Sequence, residues 1–464
     1  MNELRQKSSP FFFKITLGGD VDSWLIWLYT VRMSFVFKPS ITKSTQILAS
    51  IPGDKSISHR AIIIASLANN TTIFKGFLFS EDCLNTLRIF QHLGVSISID
   101  SEKQEVTVHG VGMHGLTPSK EALDVGNSGT GIRLITGILA AQSFSSVITG
   151  DSSIQKRPMK RIVDPLKHMG AIIDGNESSD IYPPLTISPT KTLKPITYTM
   201  PIASAQVKSC LLFAALFSKE PTTIIQPDFC RDHTEIMLKA FQAKLTTNAH
   251  AITIEQSVLT NPFSKPITIP SDFSSAAFFI VLGLIHPNIT LTLKNIGINP
   301  TRSKLIDVLQ AMGGTISLTN KTMEIEPYAD ITVSSSKLKN ITVDDALIPI
   351  IIDEIPILAV AGMFASGTMK ISQAKELRFK ESDRISQIVT LVNAFNGTIK
   401  EYDDGFELTG GFEADSPVIE TAFDHRIAMS AVIASLAANV SITLDTPDSI
   451  KTSFPNFFDI ISSL

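Results

Sequence analysis

The sequence predicts an α/β protein of two domains, each assembled from three copies of one helix–strand–helix–strands unit. Three observations carry this expectation. Six short polar segments open runs of small and apolar residues: P-G-D-K-S-I-S-H-R (52–60), G-N-S-G-T-G-I-R (126–133), S-A-Q-V-K-S (204–209), S-D-F-S-S-A-A (271–277), D-E-I-P (353–356) and D-H-R-I-A-M (424–429). Counted between Ser56, Gly129, Ser204, Ser274, Asp353 and His425, the openings recur every 70 to 79 residues, the mark of a repeated supersecondary unit. Six units exceed one core of usual size, whereas three plus three gives two domains of about 200 residues each.

Within a unit the order repeats. After Lys55 comes an apolar helix (61–67), then a β-rich stretch (71–79) and a helix at 82–93 with Asp82 as its expected N-cap. Residues 95–99 and 105–108 then alternate like half-buried strands around a polar turn. The third unit reads as helix 207–217, strand 222–226, helix 234–243 and strands 244–247 and 251–255. The fifth reads as helix 355–364, strand 368–371, helix 383–395 and strands near 398–401 and 405–408. The Pro-rich stretch 261–270 is the expected crossover between domains. A strand at about 44–51, ahead of the first unit, could pair with the second domain, so that the chain crosses twice. Two crossovers suit a hinge that closes on a ligand; a rigid two-domain scaffold is the alternative.

The division is therefore 55–270 for the first domain, 41–54 with 271–464 for the second, and 1–40 as an N-terminal extension. Both tryptophans, Trp24 and Trp27, fall in that extension, as does the aromatic run 11–13. Its apolar stretch 24–31 is too short to span a bilayer. No small-residue cleavage pattern follows it, and Glu3, Asp20 and Asp22 are out of keeping with a transit peptide. A loosely docked extension and a start at Met33 are both open readings.

Bulk composition narrows the function. The chain is 44% hydrophobic and 18% charged with a net charge of −4, which argues against bulk binding to nucleic acid or an anionic membrane. Any anion site must be a local gathering of cations. Cys83, Cys210 and Cys230 fit no metal-ligand spacing, and three is a poor number for a disulfide framework. Reduced thiols in the cytoplasm are the expectation. His59, His233 and His425 show no zinc-type spacing, so no catalytic metal is expected.

The candidate residues cluster at the six openings, where unpaired helix N–H groups attract anions. Lys55 and Ser56 stand at a helix start with Arg60 one turn on; the Walker spacing is absent, and a solvated turn would carry the same triplet. Gly129 lies in a Gly-rich turn that would allow close backbone approach to an anion. Q-K-R-P-M-K-R (155–161) packs four cations into seven residues; Pro158 and an adjoining loop would fix Arg157, though a solvated basic face has this composition too. L-R-F-K-E-S-D-R (377–384) interleaves Arg378, Lys380 and Arg384 with Glu381 and Asp383, as an exposed charged loop also would. Asp353 and Glu354 interrupt apolar runs, a costly position unless paired; Asp353 is either a helix N-cap or a general base.

Together these strings resemble the EPSP synthases, the 3-phosphoshikimate 1-carboxyvinyltransferases, from about Lys43 to the C-terminus. S-A-Q-V-K (204–208), R-D-H-T-E (231–235) and N-I-G-I-N-P-T-R (295–302) are similar to signatures of the second class of that family, often tolerant of the herbicide glyphosate. The resemblance implies a two-domain inverse α/β barrel, three βαβαββ repeats per domain, with helix N-termini facing the interdomain cleft. It implies transfer of the enolpyruvyl group of phosphoenolpyruvate to the 5-hydroxyl of shikimate 3-phosphate, releasing phosphate, in a cytoplasmic and monomeric enzyme of the chorismate route. No metal or organic cofactor, nucleic acid or membrane is implied.

Carried over by position, Lys55, Ser56, Arg60, Ser204, Gln206, Arg231, Asp353 and Lys380 would hold shikimate 3-phosphate. Lys55, Gly129, Arg157, Gln206, Lys380, Arg384 and Arg426 would hold phosphoenolpyruvate. Asp353 would take the hydroxyl proton, and Glu381, with Lys55 or Lys380, would manage the proton at the methylene carbon. Two departures stand out. Lys451 is displaced by one residue from the usual C-terminal K-T-F-P string and carries no assignment, and Gly129 occupies a position that is Ala in some highly glyphosate-tolerant members. The rival readings are the enolpyruvyl transferase acting on UDP-N-acetylglucosamine, whose reactive Cys near 155–160 has no counterpart here, and a non-catalytic anion-binding protein.

Overall fold

The computed structural model describes residues 7–8, 33–41, 44–48, 50–177, 180–248 and 250–464. The aromatic run 11–13 and the apolar stretch 24–31 lie outside them. Each polar opening begins a helix: Lys55–Leu67, Gly129–Leu139, Ala205–Ala215, Phe273–Ile285, Ile355–Phe364 and His425–Ala438. Five are capped by a side chain that accepts a backbone N–H. Asp54 accepts from Ile57, Ser128 from Gly131, Ser204 from Val207, Asp272 from Ser275 and Asp424 from Arg426. Glu354 precedes the remaining helix without a side-chain cap, and Pro356 supplies the fixed φ of its first turn. These helices are apolar nearly all round and buried accordingly, as the run Ile62, Ile63 and Ile64 shows. Each such side chain contributes about 1.5–3 kcal/mol on burial.

Two hydrophobic cores result. One gathers buried side chains from Ile57 to Ile269. The other gathers Phe37, Leu48 and Ile51 with side chains from Phe273 to Leu464. In the second, helices Phe273–Ile285, Ile355–Phe364 and His425–Ala438 pack on one another; in the first, Gly129–Leu139 packs on Ala205–Ala215 and on Lys55–Leu67.

Among the described residues the strands form six sheets, one per unit. In the third, Thr197–Thr199 lies parallel to Thr222–Ile225, which continues antiparallel into Ala251–Ile254 and Leu245–Asn248. The first and fourth sheets borrow their leading strands from elsewhere in the chain. Ile267–Thr268 pairs in parallel with Thr71–Lys75, and Thr45–Leu48 pairs in parallel with Thr290–Gly297. The two segments running between the cores also pair with each other. Asp54 N donates to Pro270 O and Asp272 N to Pro52 O, both at 2.8 Å. Gly53 is needed there, since a Cβ would fall 1.8 Å from the Gly76 carbonyl oxygen.

Two local expectations need correction. Residues 33–37 fall within the expected extension, yet Met33–Phe37 is a strand pairing antiparallel with Ile442–Leu444, and Phe37 is buried in the second core. The sixth unit runs into the C-terminal helix Phe457–Ser463 instead of folding its own hairpin, so the chain start fills the vacant sheet position. Asp82 is not an N-cap: Ser80 precedes the helix Glu81–His92, and the Asp82 carboxylate instead receives Lys55 Nζ at 2.8 Å.

Candidate active site

The starts of all six inner helices converge on one cleft of about 830 Å³ between the two cores. Lys55 and Ser56, Gly129, Ser204 and Gln206, Asp272, Asp353, and His425 with Arg426 line it, one group per unit. Nine Lys and Arg side chains face seven Asp and Glu in this lining, although the chain as a whole is acidic. The expected local gathering of cations is therefore present, and each cation is held by a partner.

Of the residues singled out in the sequence, Lys55, Ser56, Gly129, Arg157, Ser204, Gln206, Arg231, Asp353, Lys380, Glu381, Arg384 and Arg426 all line the cleft. Arg60 does not. Its side chain is buried in the first core, donating to Thr234 Oγ1, Ser209 Oγ and the Ser56 carbonyl, and burial lowers its pKa to about 10. It supports the turn that carries Ser56 rather than facing the cavity.

Asp353 is the centre of the cation set. Its Oδ1 lies 3.4 Å from Lys380 Nζ and 3.3 Å from Arg384 NH1, and its Oδ2 meets Arg231. Arg426 NH1 donates to its backbone carbonyl at 2.9 Å. Burial pushes the carboxyl pKa up, but Lys380, Arg231, Arg426 and Arg384 outweigh it and hold the group well below the ordinary carboxylate range. The capping alternative is removed, because Glu354 occupies the cap position. Glu354 is itself fully buried, bonded to Ser274 and, at 3.1 Å, to Arg302 NH1.

Glu381 lies at the other end of the same network. Arg384 NH2 donates to its Oε2 at 2.6 Å, and Arg157 NH1 stands 4.0 Å from its Oε1. Withdrawal from bulk water raises the Glu381 pKa, while Arg384, His425, Arg157 and Lys380 more than reverse this and hold it well below the usual value. Arg384 thus joins the two candidate acid–base carboxylates, and its Nε is anchored on Asp424 Oδ2 at 2.8 Å. Lys55 reaches in from the first core. Burial opposes its charge, and Asp82 with Glu381 overcomes that opposition, so the ammonium stays protonated. Arg157 is fixed by Asn127 Oδ1 and Ser153 Oγ of adjoining loops.

Three cations lining the cleft carry no role from the sequence: Arg133, Arg302 and Arg161, the last paired with Glu376 at 3.0 Å. Arg133 donates to Gln206 Oε1 at 2.9 Å and to the Gly129 carbonyl at 3.1 Å; burial, then repulsion from Arg157 and Arg161, lowers its pKa to about 10. Arg302 is locked between Glu354 and Asp272. The i+4 spacing of Arg133 from Gly129 could have indicated the first. Arg302 closes the string N-I-G-I-N-P-T-R, but its place in the cleft depends on Glu354 and Asp272, distant in the chain.

A family model described as EPSP synthase (3-phosphoshikimate 1-carboxyvinyltransferase) matches residues 41–461. The chain is 45% identical over 418 residues to a 3-phosphoshikimate 1-carboxyvinyltransferase of Bacillus cytotoxicus, covering 89% of this chain and 97% of that one. It is 45% identical over 431 residues to one of Petrotoga mobilis, covering 92% and 99%. Among solved structures, an EPSP synthase from Acinetobacter baumannii superposes with a TM-score of 0.83 at 40% identity, covering 93% of this chain and 98% of that one.

Proposed function

This chain belongs to the EPSP synthase family, and from that premise we propose which of its residues carry out each part of the reaction. The reaction transfers the enolpyruvyl group of phosphoenolpyruvate to the 5-hydroxyl of shikimate 3-phosphate, giving 5-enolpyruvylshikimate 3-phosphate and phosphate. The hydroxyl oxygen adds to C2 of phosphoenolpyruvate while C3 takes a proton. The tetrahedral adduct then expels phosphate, and C3 gives its proton back.

In this proposal the two cores are two domains hinged at the paired crossovers. Lys55, Ser56, Ser204, Gln206, Arg231 and Lys380 hold shikimate 3-phosphate, with Arg60 bracing Ser56 from behind. Gly129, Arg157, Arg384 and Arg426 hold phosphoenolpyruvate, with Lys55, Gln206 and Lys380 touching both. Two multiply charged anions in one low-dielectric cleft require several fixed cations. Closure of the domains excludes water from the adduct.

Asp353 accepts the hydroxyl proton. Four cations keep it a weak base in the unliganded protein. Anionic substrates bound to the same cations weaken that hold, so its basicity rises once both substrates are in place. Glu381, beside Lys55 and Lys380, handles the proton at C3. The convergence of six helix starts, their cations and this pair of carboxylates on one cleft supports the reading. All these groups come from a single chain, which favours a monomer, and three buried free cysteines favour a reducing, cytoplasmic setting. Among the described residues no single helix is long and apolar enough to cross a membrane.

A phosphate-release assay tests the proposal. Release is expected with shikimate 3-phosphate and not with UDP-N-acetylglucosamine. Alanine at Arg231 should raise KM for shikimate 3-phosphate, and alanine at Arg426 should raise KM for phosphoenolpyruvate. The opposite pattern would reverse the assignment.

A further inference from the structure

The loop ahead of His425–Ala438 holds a turn of unusual composition. Asp424 N donates to the Thr421 carbonyl at 2.9 Å, and both central residues are left-handed, Ala422 at φ 49° and Phe423 at φ 60°. This is the mirror-image type I turn, which glycine and asparagine favour and a bulky side chain opposes. The turn is clamped on both sides. Thr421 N and Oγ1 donate to Asp445 Oδ1 at 3.0 and 2.7 Å. Asp424 is gripped by Arg384 Nε at 2.8 Å and Ser382 Oγ at 3.0 Å. Strain that surroundings over-determine in this way gathers at functional sites.

The fold gains little from the Phe423 ring, which is 77% exposed. It lines the cleft nonetheless, two residues before His425 and three before Arg426. Phe379, 62% exposed, also lines the cleft and directly precedes Lys380. The Ser382–Asp424 and Arg384–Asp424 bonds tie the two ring-bearing segments into one piece. An aromatic ring is thus held in a strained backbone position, outside the core, on the cleft-lining loop that leads into His425 and Arg426 and is tied to Arg384 through Asp424. Beside Phe423 and Phe379, this loop and the partner of its Asp424 bring Arg384, His425 and Arg426 to the cleft, all polar or charged, while phosphoenolpyruvate has one apolar part, its methylene carbon.

We propose that Phe423 is a specificity-determining residue: its ring is the apolar wall against which the methylene end of phosphoenolpyruvate packs, limiting substituents on that carbon. The inference rests on the assignment of Arg384 and Arg426 to phosphoenolpyruvate. The backbone strain makes the test clean, because replacing Phe423 removes the ring and relaxes the turn together, so lost selectivity cannot be blamed on a weakened fold.

The test compares phosphoenolpyruvate with its analogue bearing one methyl group on C3, by kcat/KM, in Phe423→Gly, Phe423→Asn and Phe423→Tyr. One methyl in an apolar pocket is discriminated by about 10–200-fold. The Gly and Asn variants are expected to melt at or above the parent temperature and to lose about tenfold of the preference for phosphoenolpyruvate, with KM for shikimate 3-phosphate within about twofold. The Tyr variant is expected to keep the preference. An unchanged preference in the Gly and Asn variants overturns the proposal. Arg426→Ala is run alongside: a raised KM for phosphoenolpyruvate upholds the underlying assignment, whereas an unchanged one removes both it and the role of Phe423.

Discussion

Arg231 NH2 lies 2.5 Å from Asp353 Oδ2, and the two residues belong to different cores. Their pairing bridges two sides of the cleft that both residues line. On the roles proposed above, it also occupies two groups that the reaction needs apart, a cation for the phosphorylated ring and the carboxylate for its hydroxyl. In that proposal an incoming phosphate competes with Asp353 for Arg231, so that substrate binding and release of the base become one event.

Asp353→Asn is expected to lower kcat by about 10²- to 10⁴-fold, the usual worth of a general base. KM for shikimate 3-phosphate should stay within a few-fold, because the amide no longer competes for Arg231. Steady-state phosphate release at varied shikimate 3-phosphate reads both values, and an unchanged kcat would remove Asp353 from the mechanism.

Gly129→Ala should act on phosphoenolpyruvate alone. A Cβ there would sit 2.9 Å from Arg157 NH1 and 3.0 Å from Arg133 NH1. Both are the far ends of flexible side chains, so the fold accommodates the methyl group while the two guanidinium groups shift. KM for phosphoenolpyruvate is expected to rise several-fold, with that for shikimate 3-phosphate and the melting temperature little changed. Equal rises in both KM values would place Gly129 elsewhere in the site.

Lys208 tests the support beneath Arg231. It is buried with Nζ 2.6 Å from Glu235 Oε1, and it donates to the Cys230 carbonyl, one residue before Arg231. Lys208→Met would strand a buried carboxylate, a loss of about 3–5 kcal/mol. Thermal unfolding should show a large drop that Lys208→Met with Glu235→Leu largely reverses. In that double variant KM for shikimate 3-phosphate should remain raised, because the Arg231 loop has lost its anchor.

Acid should weaken the fold before any active-site carboxylate titrates. Burial lowers the His425 pKa to about 4, against smaller upward pulls from Asp424 and Glu381, and burial also lowers His59 well below its usual value. An unfolded histidine titrates near 6.5, so between about pH 6.5 and 4 the unfolded chain binds protons that the native one refuses. Stability is full above that window and falls as pH drops through it. Asp353 and Glu381, held low, lose their contribution only below about pH 4. His425→Gln should flatten part of the slope in denaturant midpoints measured from pH 7 to 4.5; an unchanged slope would mean that His425 takes up its proton at the same pH in the native cleft as in the unfolded chain.

Much of the architecture was legible because it is local. Capping residues, apolar runs and Gly-rich turns act within a few positions, so the six helix starts fall within two residues of Ser56, Gly129, Ser204, Ser274, Asp353 and His425. Cation clusters such as 377–384 were visible for the same reason. Arg60 shows where this fails. Its spacing from Ser56 sets one face of a helix, but Thr234 and Ser209, far along the chain, decide that the face points into the core. The strand Met33–Phe37 was missed because its partner lies at the opposite end of the chain.

From the amino-acid order alone came the repeat, the type of each main element, and the residues able to meet anionic substrates, since periodicity, capping and charge are properties of neighbours. The tertiary structure alone decided which cation faces which carboxylate: Arg231 on Asp353, Arg384 on Asp353, Glu381 and Asp424, and Arg302 on Glu354. The physical reason is range. A charge in a desolvated cleft responds to whatever the fold brings within a few ångströms, and that company is set by how two cores dock, not by position along the chain.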